Sequence, residues 1–132
     1  MSTIRTTTLS TVDGTATVPV NTVVNGSAKA WVNFNGTGTV AIRAAFNVSS
    51  ITDNGTGDYT VNFTVAMTDA NYCVNVSAQA ASGAATTIYP FTQNNGSGSF
   101  SPVNPVAGSF RLSTAQSGSY ADQPFALVTV FR

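Results

Sequence analysis

The chain has 132 residues, a formal net charge of zero and only 8% charged side chains. That length supports one domain, large enough to bury a core without disulfide staples. His and Glu are absent and Lys occurs once, which excludes the usual acid–base pairs, Ser–His–Asp triads and Cys/His metal sites.

Thr, Ser, Asn and Gly supply 57 residues, and these types favour strands, turns and caps over helix interiors. The expectation is an all-β chain. Residues 1–20 are Thr-rich, with apolar points at Ile4, Leu9, Val12, Val18 and Val20. Pro19 confines any strand there to an edge. We expect residues 1–24 to form an extended arm or attachment segment and residues 25–132 to form the folded domain. The N-terminal MSTIRTTTLS has no apolar stretch of the secretory kind, and no apolar run approaches the length of a membrane span. Synthesis in the cytosol without membrane insertion is the expectation.

From Ala28 the pattern sharpens. Ala28, Ala30, Val32 and Phe34 alternate with polar residues; so do Val40, Ile42, Ala44, Phe46 and Val48, and then Tyr59, Val61, Phe63 and Val65. Period two predicts three strands, each with one face in a core. Asn35-Gly36-Thr37-Gly38 and the segment Thr52–Asp58 separate them and read as hairpin turns, because Asn and Gly tolerate positive φ. Ala70–Ala80 predicts a fourth strand, with Tyr72, Val74, Val76 and Ala78 on one face and Cys73, Asn75 and Ser77 on the other. Cys73 is the single cysteine. Without a His to activate it, it reads as an inert, small, buried or half-buried side chain, with an intermolecular disulfide as the other reading.

Thr86–Thr92 predicts a strand interrupted by Pro90, followed by a Gly/Ser/Asn loop over 94–99 and a short strand over Ser109–Ser113. Phe125–Phe131 closes the chain. There Phe125, Leu127 and Phe131 alternate with Ala126, Val128 and Val130. A strand apolar on both faces is expected to be covered on both. Strands and turn signals at this spacing predict an antiparallel β-sandwich, jelly-roll-like.

Five carboxylates remain as candidates for chemistry: Asp13, Asp53, Asp58, Asp69 and Asp122. Asp53 and Asp58 bracket one turn, but DNGTGD lacks the dense oxygen spacing of a calcium loop, and Asp is itself a preferred turn residue. No catalytic residue, metal site or cofactor is assigned. The cations Arg5, Lys29, Arg43, Arg111 and Arg132 are scattered, which argues against nucleic acid as a partner. Two groups of aromatics stand out. Trp31 lies on the polar side of its strand, where it suits a sugar stack or, by the enrichment of aromatics at interfaces, a subunit contact. Trp31, Val128 and Val130 are the candidate interface residues, and apolar residues on both faces of the last strand predict a homotrimer. Tyr89, Phe91, Phe100 and Tyr120 lie in or beside loops rich in Asn, Gln, Ser and Gly. They read either as a loop-built receptor-binding surface or as rings that cap the sandwich.

The words AWVNFNGTGTVAIR, FNVSSITDNGTGDYTVNFT, MTDANYCV and FALVTVFR resemble a module of tail fibres and other virion structural proteins of tailed bacteriophages, of the marine and cyanobacterial type. The resemblance covers about half the chain and leaves out residues 81–120. It implies a non-enzymatic virion protein, a tail-fibre or tail-tip domain that attaches to a host-surface glycan or protein, assembled as a homotrimer. It also implies contact with other virion proteins, for which the N-terminal arm is the candidate. The module begins some 25 residues from Met1, and the expectation is that no shaft precedes it. That makes a capsid decoration, cement or head-fibre protein of the same fold the alternative. No catalytic residues come with the family motif.

Overall fold

The computed structural model describes residues 3, 5–80, 85–95 and 99–132. Strands take 56% of it and helix 6%, as the Thr/Ser/Asn/Gly composition leads one to expect.

The N-terminal part is more structured than an extended arm. β1 (Thr8–Ser10) and β2 (Thr17–Pro19) pair as a two-stranded antiparallel ribbon with Leu9 opposite Val18. Its turn is organised by Asp13, whose Oδ1 accepts hydrogen bonds from Thr11 Oγ1 at 2.6 Å and from Thr15 Oγ1 at 2.8 Å. These bonds favour the ionised form and hold the Asp13 carboxyl at about 2. Pro19, at φ −59°, then leads into a helix, α1 (Val20–Gly26), that sequence reading did not anticipate. Val-rich segments are weak helix formers, and none of its residues is buried.

The sandwich begins with β3 (Ala30–Asn35), turns through the expected Asn35–Gly38 segment, and returns as β4 (Ala41–Phe46). Asn35 organises that turn, with its Nδ2 donating to the Thr37 carbonyl at 2.7 Å. Gly36 is required by close approach: a Cβ there would sit 2.5 Å from the Tyr59 hydroxyl oxygen. The β3–β4 register slips between Asn33 and Phe34, leaving Arg43 as an extra residue. One extra residue reverses the phase of a strand. Ala45, not Phe46, therefore packs on the core, and Phe46 emerges on the outer face opposite Trp31. The single strand expected over Val40–Val48 is thus corrected twice. It changes phase at Arg43, and it changes sheet at Asn47.

Asn47 has φ 54°. Its side chain ties the corner, donating from Nδ2 to the carbonyls of Lys29 (3.0 Å) and Val65 (3.1 Å) while Oδ1 accepts from Val65 N–H (2.7 Å). Beyond it, β5 (Val48–Gly55) pairs with β6 (Asp58–Phe63). The strand runs through Asp53 and Asn54, so the turn reduces to Thr56-Gly57.

β7 (Cys73–Gln79) follows the predicted alternation, but Cys73 is exposed rather than buried. β8 (Thr86–Pro90) ends at a turn where Phe91 takes φ 58°. β9 (Thr92–Asn94) and β10 (Phe100–Pro102) then form a hairpin. β11 (Ser109–Gln116) is longer than its apolar pattern and turns through Ser117-Gly118, both at positive φ, into β12 (Ser119–Tyr120). β13 (Phe125–Phe131) has the bounds expected.

Two antiparallel sheets result, with order β4-β3-β13-β7 and β5-β6-β11-β8, β12 extending the second along β11. They face each other as a jelly-roll-like sandwich in which the first and last sandwich strands, β3 and β13, are neighbours. Val32 and Phe34, Val128 and Val130, Tyr59 and Val61, and Phe110 and Leu112 meet between the sheets. Phe34 and Tyr59 meet edge to face at 5.3 Å.

Candidate functional site

The two outer faces of the sandwich differ. Over the β5-β6-β11-β8 sheet lies the β9–β10 hairpin, anchored by an ion pair. Asp58 sits on the outward side of β6 yet is 1% exposed. Its Oδ1 accepts from Arg111 Nε at 2.7 Å and its Oδ2 from Arg111 Nη2 at 2.9 Å and from Asn94 N–H at 2.7 Å. Arg111 Nη1 also donates to Gln93 Oε1 at 2.8 Å. The fork geometry of guanidinium on carboxylate fixes the hairpin in register on the sheet.

Three of the four loop aromatics meet under this hairpin. Tyr89 pairs with Ser113 across β8–β11, and Tyr120 with Ala115 across β11–β12. Phe100, from β10, sits between them at centroid distances of 4.1 Å to Tyr89 and 4.4 Å to Tyr120. The Tyr120 hydroxyl lies within hydrogen-bond reach of the carbonyls of Gln93 (2.9 Å) and Ser99 (2.8 Å). All three rings are half-buried and form a satellite cluster. Phe91 is elsewhere: it packs toward the main core against Phe110 at 5.8 Å and Tyr72 at 6.2 Å. Residues 96–98 of the polar loop lie outside the described residues.

Among the described residues no such cover lies over the outer face of β4-β3-β13-β7. Phe46, Leu127, Phe125 and Trp31 stand 54%, 41%, 40% and 39% exposed. Cross-strand register makes them neighbours: Trp31 is opposite Phe46 on one side and Thr129 on the other, and Leu127 is opposite Asn33. The Arg43 guanidinium lies 4.2 Å from the Phe125 ring centroid, a cation–π contact. Exposed Cys73 borders the same face, opposite Phe131. Trp31 is therefore on the face assigned to it from sequence. Val128 and Val130 are not. At 3% and 0% exposure they belong to the chain's own core, because β13 points its even-numbered residues between the sheets. The outward apolar row of that strand is Phe125, Leu127 and Phe131.

The carboxylates are engaged structurally. Asp122 Oδ1 accepts from the Tyr59 hydroxyl at 2.6 Å and from Gly57 N–H at 2.7 Å, tying the β5–β6 turn to the segment before β13. Burial, then the Asp122 carboxylate, pushes the Tyr59 hydroxyl far above its ordinary range. Asp69 pairs with Arg132 at the surface, and that hydrogen bonding draws its carboxyl down to about 2. Asp53 Oδ1 accepts from Gly55 N–H at 2.9 Å. Among the described residues no three potential metal ligands converge, and no helix is long and apolar enough to cross a membrane.

Sequence reasoning missed Phe46, Leu127 and Phe125 as a surface. The signal for the two β13 residues was present in the double apolar alternation of that strand. No signal marked Phe46, because a bulge decides its side.

Compared with protein-family models, with curated proteins and with solved structures, the chain matches none.

Proposed function

We propose that the chain is a non-enzymatic structural protein of a tailed-bacteriophage virion, a tail-fibre or tail-tip domain that assembles as a homotrimer and mediates host attachment. The observation that carries the assembly part is the bare apolar sheet face of Phe46, Trp31, Leu127 and Phe125. Exposed aromatic and aliphatic side chains contiguous on one rigid sheet fit a protein–protein contact better than open solvent. The virion context rests on the sequence resemblance over residues 30–74 and 125–132.

The non-enzymatic reading is supported by the placement of the carboxylates. Asp58 is neutralised by Arg111, Asp122 is occupied by Tyr59 and Gly57, and Asp69 is paired with Arg132. The host-attachment part rests on Tyr89, Phe100 and Tyr120 beneath an Asn/Gln/Ser-rich hairpin held on a rigid sheet. The half-burial of those rings favours the second reading, a capsid decoration, cement or head-fibre protein of the same fold.

Immunogold labelling of the intact particle separates the two. Label at the tail tip together with competition of phage adsorption by the purified chain is the expected result. Label on the capsid lattice refutes attachment. Release of sugar from host envelope polysaccharide by the purified chain refutes the non-enzymatic reading.

A further inference from the structure

The chain covers one outer face with its own hairpin and leaves the other bare. Its N-terminal part has the opposite deficiency. Leu9, Val23 and Val24 are 47%, 42% and 52% exposed. Between ribbon and helix lies an open, mainly apolar trough of about 550 Å3, lined among others by Thr7, Pro19, Val20 and Val24. We propose that residues 5–26 of one copy dock on the outer β4-β3-β13-β7 face of another copy, with the exposed rings of Phe46 and Trp31 entering that trough. This rests on the assembly reading above and names the surfaces that make it.

Three features point to a second copy rather than to the same chain. First, the connection from α1 to β3 is short and pinned. Ser27 N–H donates to the Val23 carbonyl at 3.0 Å, Lys29 N–H to Val130 O at 2.7 Å, and Asn47 Nδ2 to the Lys29 carbonyl at 3.0 Å. Lys29 Nζ bridges Ser27 Oγ and the Val24 carbonyl. Three residues span about 10 Å at most, and laying the arm on its own sheet would break these bonds.

Second, exchange doubles the area that each copy buries. Four strands about 4.8 Å apart and about 20 Å long present a face on the order of 400 Å2. In a closed ring of three each copy gives one arm and receives one, so it buries roughly 800 Å2 in all, about 400 Å2 toward each neighbour, and ring closure rather than any one contact must supply the stability. The face alone, without exchange, buries only half of that.

Third, one charge pair is complementary, since the arm carries a single carboxylate, Asp13, at the ribbon turn, with its single cation, Arg5, at the ribbon's open end. Arg43 is the cation of the face; its guanidinium lies on Phe125 and donates to Asn33 Oδ1, with no carboxylate in the two ion pairs among the described residues assigned to it. The ribbon turn carries Asp13, hydrogen-bonded only to Thr11 and Thr15 among the described residues.

An introduced disulfide beside Arg43 serves as the reporter, because Ala44 is exposed on the same face, opposite Asn33. A Val12→Cys/Cys73→Ser chain is mixed with an Ala44→Cys/Cys73→Ser chain, oxidised mildly, and resolved by non-reducing electrophoresis and mass spectrometry. A disulfide joining one chain of each kind is expected. In sedimentation equilibrium, Asp13→Arg and Arg43→Asp each weaken self-association about five- to tenfold, and the double variant recovers most of it. Association without that crosslink and without charge-swap recovery overturns the inference and leaves the assembly reading intact. A monomer at micromolar concentration overturns both. A Val12→Cys/Ala44→Cys/Cys73→Ser chain that closes this disulfide within one chain while monomeric places the arm on its own sheet and overturns the exchange.

Discussion

Replacing Arg111 by Met tests whether the Asp58–Arg111 pair holds the β9–β10 hairpin on the sheet. Methionine keeps much of the aliphatic stem but removes three donors, at 2.7 and 2.9 Å from Asp58 and at 2.8 Å from Gln93. Asp58, 1% exposed, is left with the Asn94 N–H alone. Orphaning a buried charge costs about 3–5 kcal/mol. The Arg111 side chain is 27% exposed, so water reaches the vacated side and the expected loss falls to about 2–3 kcal/mol. For a chain of this size that is roughly 6–12 °C in Tm. The Asp58→Asn/Arg111→Met double variant carries no buried charge and is expected to recover about 1–2 kcal/mol. Urea unfolding followed by circular dichroism measures the cycle, and hydrogen exchange at the Asn94 amide reports whether the hairpin opens before the sandwich. An Arg111→Met chain within about 0.5 kcal/mol of the natural one, with no recovery in the double variant, refutes the anchoring argument.

Asn47→Ala removes three side-chain hydrogen bonds at a left-handed residue and is expected to cost about 2–4 kcal/mol in urea unfolding, of which Asn47→Gly recovers only the backbone part. Gly57→Ala places a Cβ 2.4 Å from the Thr114 carbonyl at φ +63°, whereas Gly118, at φ +84°, meets nothing within 4 Å; losses of about 3 and about 1 kcal/mol are expected, and equal losses would mean that conformation, not crowding, decides. Val128→Ala opens the core and should cost about 2 kcal/mol, while its neighbour Leu127→Ser should stay within about 0.5 kcal/mol in the monomer. At high pH, burial raises the Tyr72 hydroxyl to about 12 and holds Tyr59 higher still, with Asp122 adding to it. Both are raised above the ordinary value of about 10, so their contribution is whole below pH 10 and is lost as pH climbs from there through 12; alkaline unfolding of Tyr72→Phe should show a shallower fall over that window.

What the sequence made legible was local. Alternation in Ala30–Phe34, Tyr59–Phe63 and Cys73–Gln79 reports burial directly, because each residue on these strands faces a side fixed by the pleat, whereas Phe125–Phe131, apolar on both faces, shows its strand but not which face is inward. The first Asn-Gly turn is legible for the same reason: it is decided within four residues. The β4 phase was not, since an extra residue at Arg43 leaves the composition of the run unchanged and only the partner strand shows the slip. Nor was the corner at Asn47, which depends on Lys29 and Val65, each 18 residues away. The end of β11, residues 114–116, was missed because Thr114 is a buried polar residue, and a polar residue in a pattern reads as surface.

The aromatic residues expose the same limit at the candidate site. Tyr89, Phe91, Phe100 and Tyr120 are alike in sequence, each an aromatic next to short polar residues. Their fates separate at Phe91, whose φ of 58° turns the chain out of β8 and sends its own ring toward Tyr72 and Phe110. The following hairpin is then carried back over the sheet by Asp58, from which Arg111 is 53 residues distant. That pair, together with the Tyr120 hydroxyl against the Gln93 and Ser99 carbonyls, brings Phe100 between Tyr89 and Tyr120. The composition of the loop identifies residues suited to recognition, but the long-range ion pair decides how much of each ring faces solvent. The display of these rings therefore depends on Asp58 and Arg111 as positioning residues, and the Asp58 carboxylate is itself too buried to meet a ligand.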